Sequence, residues 1–237
     1  MFKRYILTDY LKIKRKGFWL LTFLGPFGVV AMQMVNYAGD RKTYLLKQSE
    51  NDWTYYLSYI NSFASFALVI GIAILTSLMA SIENDTNAWK QLLSLPVSKK
   101  HVYLSKFMLL AVFLLMSSIL LFLFTTIQGI YLDLGDNIPF FELLKYSFYP
   151  YFASLPILAL QLWIAVVSIN QSIPTTTGVI GVILTYSAAD LPDWMIWKWP
   201  TLVSDWNEPV LSVILGIAVG SFVYILGMID FVRRDVK

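Results

Sequence analysis

The feature that most constrains this chain is a series of six apolar runs that contain no Asp, Glu, Lys, Arg or His in their interiors. An α-helix needs about 20 residues to cross a hydrocarbon core about 30 Å thick, and five of the runs approach or exceed that length. Because backbone polar groups in lipid must be satisfied within the segment, each run is predicted to be helical. The predicted spans are residues 17–35, 56–80, 107–131, 149–167, 175–189 and 210–232.

The composition supports the same fold class. Hydrophobic residues make up 57% of the chain and charged residues only 14%, whereas soluble domains average about 45–50% and about 25%. We therefore predict an all-α membrane protein with one transmembrane domain over residues 1–237. Disulfides and thiolate metal sites are excluded because the sequence has no cysteine. The first apolar run is too long for a cleavable signal peptide, so none is expected.

The distribution of Lys and Arg predicts the orientation of the spans. With the N-terminus inside, 13 of the 18 basic residues lie in segments 1–16, 81–106, 168–174 and 233–237. The remaining five lie in the opposite loops, 36–55, 132–148 and 190–209. The pattern predicts a multi-pass protein of the cell membrane with both termini in the cytoplasm.

Residues 1–16 have the pattern of an amphipathic helix that lies in the membrane interface. Apolar side chains recur at helical spacing, and cations surround them. Lipid headgroups are the expected partner of those cations. The alternative is a flexible basic leader that only enforces topology. The cations assigned to the interface are Lys3, Arg4, Lys12, Lys14, Arg15 and Lys16.

A Trp-rich segment follows the fifth predicted span. Pro192 and Pro200 exclude a long helix there. Tryptophan favours the membrane–water interface, so an aromatic belt that anchors helix ends is one interpretation. The other is a lid or lining at the outer mouth of a pathway. The interfacial tryptophans are Trp194, Trp197, Trp199 and Trp206.

The spans lack the ionisable residues that proton-coupled transporters and voltage sensors keep within the membrane. The sequence also has no P-loop, and its single histidine, His101, lies in a predicted loop. No enzymatic activity, cofactor, metal or nucleic-acid partner is therefore expected. Polar residues in the spans are expected to form hydrogen bonds between helices. They are Asn61, Ser62, Ser65, Ser77, Ser117, Ser118, Thr125, Thr126, Gln128 and Gln161.

The loop between the second and third spans contains a second amphipathic pattern. Asn84 or Asp85 is suited to cap a helix, and Pro96 to end it. Ser98 is suited to cap the next helix, which is predicted to run through Lys99, Lys100 and Lys106 into the third span. Such a helix either lies on the membrane or inserts its apolar face into a partner's groove. Its acidic start favours the partner. The apolar stripe consists of Ala88, Trp89, Leu92, Leu93 and Leu95.

This loop, with its order Glu83 … Lys90-x-Leu92-Leu93-x-x-Pro96-Val97-Ser98 … Lys106, resembles the type-2 ABC exporter permeases. It is most similar to the six-span permeases of lantibiotic-immunity and bacitracin-resistance transporters. The basic N-terminus and the closing Phe231-Val-Arg-Arg-Asp-Val236 resemble that group as well.

The resemblance implies a division of labour between subunits. The loop would be the coupling helix, seated on a cytoplasmic ATPase present in two copies beside a second, identical or paralogous permease. The substrate would be amphipathic, such as a peptide antibiotic or a lipid-like compound. The basic N-terminus would be a connecting helix, and the Trp-rich segment would match the family's short re-entrant helices. The residues assigned to ATPase coupling are Glu83, Asp85, Ala88, Trp89, Leu92, Leu93, Leu95 and Pro96.

An alternative from another class is a membrane sensor that transports nothing. The same loop would then bind a cytoplasmic regulatory protein, and the Trp-rich segment would bind lipid or peptide.

Overall fold

The computed structural model describes residues 10–13, 16–38, 52–85, 98–135, 137–168, 170 and 172–233. These residues form a bundle of α-helices, and no strand occurs among them. Numbered in chain order, the helices are α1 (Phe18–Ala38), α2 (Asp52–Asp85), α3 (Lys99–Tyr131), α4 (Phe140–Ala153), α5 (Leu155–Val167), α6 (Ser172–Tyr186) and α7 (Pro209–Arg233).

Five stretches of helix are long and apolar enough to cross a membrane, namely α1, α2, α3, α4 together with α5, and α7. The predicted fifth span forms α6, which has only 15 residues. At 1.5 Å per residue a helix of that length rises about 22 Å, less than the thickness of the hydrocarbon core. The structure thus confirms an all-helical membrane protein with five candidate spans, and α6 is a shorter apolar helix.

Several helices extend well beyond the predicted spans. α2 has 34 residues, whereas its predicted span, 56–80, has 25. α3 has 33 residues and begins at Lys99, directly after Ser98, which confirms the predicted helix through Lys99, Lys100 and Lys106 into the third span. A hydropathy boundary marks where apolar side chains stop, whereas a helix continues while its backbone hydrogen bonds are satisfied.

The fourth predicted span, 149–167, begins in the structure at Phe140 and is interrupted at Ser154. Pro156 lacks the N–H that would bond to the carbonyl of Phe152 in a continuous helix. The Ser154 N–H bonds back to the carbonyl of Pro150 at 3.0 Å, and α5 starts from there. The break leaves the Phe152 carbonyl without its usual intrahelical donor.

Successive helices alternate in direction when α4 and α5 are counted as one span, which gives the bundle two chemically distinct ends. Lys16, Lys99, Lys100 and Arg233 lie at what we call the basic end. Residues 187–208, which we call the Trp-rich segment, lie at the opposite, Trp-rich end. They contain two single-turn 3₁₀ helices, Ala188–Asp190 and Trp199–Thr201.

The interior consists of two apolar clusters. The larger joins Phe18, Ile72, Leu110, Leu158 and Phe231 with other buried side chains of the middle and basic end. The smaller lies toward the Trp-rich end and includes Trp53, Leu57, Leu121 and Leu143.

The predicted interfacial helix over residues 1–16 is described only in part. Residues 10–13 are helical, and Ile13 is 1% exposed within the larger cluster. Leu11 is 60% exposed, and Lys16 is exposed as predicted. This turn therefore packs against the bundle through Ile13. Lys3, Arg4, Lys14 and Arg15 lie outside the described residues.

Helix packing depends on close approaches at small residues. α1 packs on α2 and α3, α6 packs mainly on α2, and α7 packs on α4 and α5. At the last interface Gly216 and Gly220 face the α4–α5 junction so closely that a Cβ at position 216 would lie 2.5 Å from the Phe152 carbonyl oxygen. The Gly-x-x-x-Gly spacing allows this close contact between helices. The spacing is visible in the sequence, but the contact was not predicted from it.

Candidate functional site

The segment predicted to couple to an ATPase connects α2 to α3. Ala88, Trp89, Leu92, Leu93, Leu95 and Pro96 lie outside the described residues. Glu83 and Asp85 belong to the last turn of α2, which continues through the predicted capping position at Asn84 and ends at Asp85. The long second helix therefore leads directly into the amphipathic segment.

The other end of that segment joins a firmly packed start of α3. Ser98 occupies the predicted N-cap position, but its side chain makes no capping bond, and its carbonyl accepts from the His101 N–H at 3.0 Å. The Lys99 ammonium donates to the Val232 carbonyl of α7 at 3.3 Å. The Tyr103 ring packs on Phe231 with a centroid distance of 5.7 Å. The start of α3 is thus attached to the end of α7.

Lys106 lies inside α3, on the helix predicted to run from Ser98 into the third span. Its side chain is fully buried at 0% exposure, although the sequence placed it in a cytoplasmic segment outside the span. A second polar contact at this end joins α5 to α7, where the Trp163 indole N–H donates to Asp230 Oδ2 at 2.9 Å. Lys106 directly precedes the third predicted span, and Asp230 lies inside the last one, two residues before its end, although no charge was expected in the interior of a span. At such edges hydropathy does not predict whether a side chain is buried.

The Trp-rich segment is folded around a buried ion pair. The Lys198 ammonium lies 2.7 Å from Asp193 Oδ1 and donates to the Leu191 carbonyl at 2.7 Å. The indole N–H of Trp199, which is 5% exposed, donates to the Asp193 carbonyl at 2.7 Å. This ion pair was not predicted from the sequence. The only indication of it in the sequence is that Lys198 follows Asp193 by five residues within a tryptophan-rich stretch.

The four tryptophans have different environments. Trp194 is 71% exposed and Trp206 is 37% exposed. Trp199 is buried, and Trp197 packs against the larger apolar cluster together with Ile196. The segment therefore turns back into the bundle, but through 3₁₀ turns and not through the short re-entrant α-helices that the resemblance implied.

Two polar residues of α2 hold the Trp-rich segment. The Asn61 Nδ2 group donates to the Thr201 carbonyl at 2.7 Å, and the Ser65 hydroxyl donates to the Pro200 carbonyl at 2.8 Å. Gln128 of α3 bonds to Tyr56 of α2 and to a backbone carbonyl of α1. These contacts confirm for Asn61, Ser65 and Gln128 that polar residues in the spans join separate elements. The Ser62 and Thr126 hydroxyls instead bond to carbonyls of their own helices.

Two grooves flank α2 on the surface of the bundle. The larger, of about 550 Å³, lies between α2 and α6 toward the basic end, and hydroxyls of Ser77, Ser81 and Thr175 interrupt its apolar lining. The other, of about 430 Å³, lies among α1, α2 and α3, and its mainly apolar lining includes the hydroxyl residues Thr22 and Ser117. Ile70 and Ile74 of α2 border both grooves.

Comparison with protein families identifies the chain. A family model described as ABC-2 family transporter protein matches residues 5–187. The chain belongs to this family. It is therefore a multi-pass permease subunit of an ABC transporter, and the family implies an ATPase partner. No curated protein and no solved structure matches the chain.

The matched range relates the permease family to the parts of this structure. It includes α1 to α6 and the amphipathic segment between α2 and α3. The buried pair of the Trp-rich segment and the Gly216–Gly220 contact lie beyond residue 187. The described part of the permease contains no group of His, Asp or Glu side chains that could hold a metal ion.

Proposed function

We propose that this permease belongs to an exporter that removes an amphipathic substrate, such as a peptide antibiotic or a lipid-like compound, from the cell membrane. The observation that carries this proposal is the groove of about 550 Å³ between α2 and α6. Ligand pockets usually measure about 300–1,000 Å³. An apolar wall with three hydroxyls suits a molecule that has both apolar and polar parts. We assign it to the lantibiotic-immunity and bacitracin-resistance group on the resemblance of its loop.

The ATPase is proposed to bind the segment from Glu83 to Pro96, and the basic end is proposed to face the cytoplasm. An apolar stripe on a short helix is suited to a groove on a soluble partner. Two ATPase copies are proposed because two must close on each other around ATP. Hydrolysis belongs to that partner, and no enzymatic role is proposed for this chain.

A second permease, identical or paralogous, is proposed to pack beside the α2–α6 face. The groove is open on that side, and the apolar side chains that border it are exposed, including Ile70 at 42%, Val179 at 55% and Ile183 at 59%. A facing copy would enclose the substrate between the two chains.

The ATPase assignment predicts the effect of mutations in the amphipathic segment. Trp89→Arg or Leu92→Asp is expected to weaken ATPase binding at least about 30-fold, because a charge would replace an apolar anchor at the interface. Copurification in mild detergent, followed by mass spectrometry and an ATP hydrolysis assay, measures this effect.

Trp194→Arg is the matched control, because it places the same charge on an exposed tryptophan at the opposite end of the molecule. It should leave ATPase recovery unchanged. If Trp89→Arg retains as much ATPase as the parent, the assigned coupling site is wrong. Recovery of a regulatory protein in place of an ATPase would favour the sensor alternative.

The proposed orientation is tested with single cysteines, which the cysteine-free chain accepts without background. Cysteine at position 194 is expected to react with a membrane-impermeant maleimide added to intact cells. Cysteine at the exposed position 100 should react only after the membrane is opened. The reverse pattern would place the basic end outside.

A further inference from the structure

The second helix connects the two ends of the bundle without a break. α2 runs through 34 residues from Asp52 to Asp85, which corresponds to about 51 Å. Asn61 and Ser65 lie near its start, and the amphipathic segment follows its last residue. If α2 moves as one rigid helix, a displacement at Asp85 also moves Asn61 and Ser65, which lie about three turns from the opposite end.

The contact between α2 and the Trp-rich segment is specific and shielded from water. Ser65 is 0% exposed and Asn61 is 7% exposed. Asn61 Nδ2 donates to the Thr201 carbonyl. The Ser65 hydroxyl lies 2.8 Å from the Pro200 carbonyl of the same 3₁₀ turn and 2.8 Å from the Asn61 carbonyl of its own helix, so its hydrogen is shared between the two acceptors. Breaking the contact leaves those carbonyls buried without these donors, and an unsatisfied buried acceptor is costlier than a lost surface bond.

The element held in this way is itself rigid. Lys198 is paired with Asp193, and the Thr201 hydroxyl donates to the Lys198 carbonyl at 2.7 Å. Asp193 Oδ2 also accepts from the Asp205 N–H at 3.0 Å. These bonds fix residues 193–205 as one unit, so two bonds at positions 200 and 201 are sufficient to hold all of it.

The held unit contacts the shorter helix that forms the other wall of the large groove. A Cβ at Gly181 of α6 would lie 2.8 Å from Trp197 Nε1, which shows how closely that indole approaches α6. The same 3₁₀ turn also packs on α4 and α7. The Trp-rich segment therefore contacts both α2 and α6, the two helices that form the walls of the groove. A shift of α2 relative to α6 must either carry the segment along or separate it from one of these helices.

We propose that Asn61 and Ser65 are positioning residues that make the Trp-rich segment follow α2, so that movement of α2 at its ATPase-binding end changes the exposure of this segment at the other end. The coupling to ATP rests on the proposed function, whereas the attachment to α2 does not. The substrate does not need to contact either residue.

The attachment is tested first without nucleotide. Ile196 is half-buried, and a cysteine at this position in the otherwise cysteine-free chain reports on whether the segment is seated. Asn61→Leu combined with Ser65→Ala is expected to increase the rate of maleimide labelling at position 196 about tenfold, because local opening no longer breaks the two bonds. An unchanged rate would overturn the proposal.

Two comparisons separate positioning from general damage to α2. Ser58→Ala combined with Ser62→Ala removes hydroxyls that bond to carbonyls one turn earlier in the same helix, at Tyr55 and Ser58. Labelling in this variant should equal the parent rate. Ser65→Thr keeps a hydroxyl, so a protein with this single substitution and intact Asn61 should be labelled as slowly as the parent. Ser65→Ala alone removes the hydroxyl and should be labelled faster than the parent.

The coupling is tested on the complex of the full chain with the ATPase that copurifies. Trapping with ATP and vanadate is expected to change the labelling rate at position 196 in the parent and in the Ser58/Ser62 variant, but not in the Asn61/Ser65 variant. All three should hydrolyse ATP. An equal response in the Asn61/Ser65 variant, or no response in the parent, would overturn the coupling. If no ATPase copurifies, the proposed function fails, and the nucleotide-free result still decides the attachment.

Discussion

Lys198→Met is expected to lower the free energy of unfolding of the Trp-rich end by about 3–5 kcal/mol, because it leaves a buried carboxylate without its cation. The side chains of Lys198 and Asp193 are only 5% and 13% exposed, and they lie 2.7 Å apart. Methionine retains the length and most of the apolar stem of lysine. The loss therefore reports on the charge and on the hydrogen bond to the Leu191 carbonyl.

The measurement is thermal unfolding in detergent, followed by tryptophan fluorescence, to which Trp199 beside the pair contributes directly. Lys145→Met is the matched control. Lys145 pairs with Glu142 at 3.2 Å, but these side chains are 21% and 41% exposed, and such surface pairs contribute at most about 1 kcal/mol. Equal shifts for the two variants would mean that burial does not strengthen the Lys198–Asp193 pair.

Gly216→Ala is expected to destabilise the protein by about 1–3 kcal/mol, although alanine is the better helix former. The added Cβ would lie 2.5 Å from the Phe152 carbonyl oxygen and 2.6 Å from Ala153 Cα. Both are backbone atoms at the α4–α5 junction, so no side chain can rotate to relieve the overlap. Helix α7 would have to move away from α4 and α5.

Gly28→Ala provides the opposite case within the same protein. Gly28 lies in α1, and a Cβ there would meet nothing within 4 Å. The substitution should be neutral or stabilising by up to about 1 kcal/mol, because alanine reduces the entropy of the unfolded chain. Thermal unfolding of the two variants in one detergent compares them. A Gly216→Ala protein as stable as Gly28→Ala would show that the α7 contact tolerates separation.

The long apolar helices could be predicted because the requirement for them is local. A run that must satisfy its backbone in lipid becomes helical whatever its neighbours are, and α1, α2, α3 and α7 follow the predicted runs. Their ends were less predictable. The first turns of α4 contain Glu142 and Lys145, so hydropathy excluded residues that the structure includes in the helix.

The roles of individual polar residues needed the tertiary structure. Lys106 was predicted to lie on the helix that enters the third span, but outside the apolar run, yet its side chain is fully buried in α3. Asn61 and Ser65 were expected to join helices, but their acceptors are the carbonyls of residues 200 and 201. Donor and acceptor are separated by 140 and 135 residues in the sequence, so no local pattern could identify these hydrogen-bond partners.

The sequence alone determined that this chain lies in a membrane as helices and that an amphipathic segment separates its second and third spans. Both follow from side-chain polarity at fixed spacing along the chain. Only the tertiary structure decided that the Trp-rich segment folds around Lys198 and Asp193, that it is attached to α2, and that a groove lies between α2 and α6. These features depend on which helix surfaces pack together. The polarity pattern along one helix does not predict which other helix or loop it will contact.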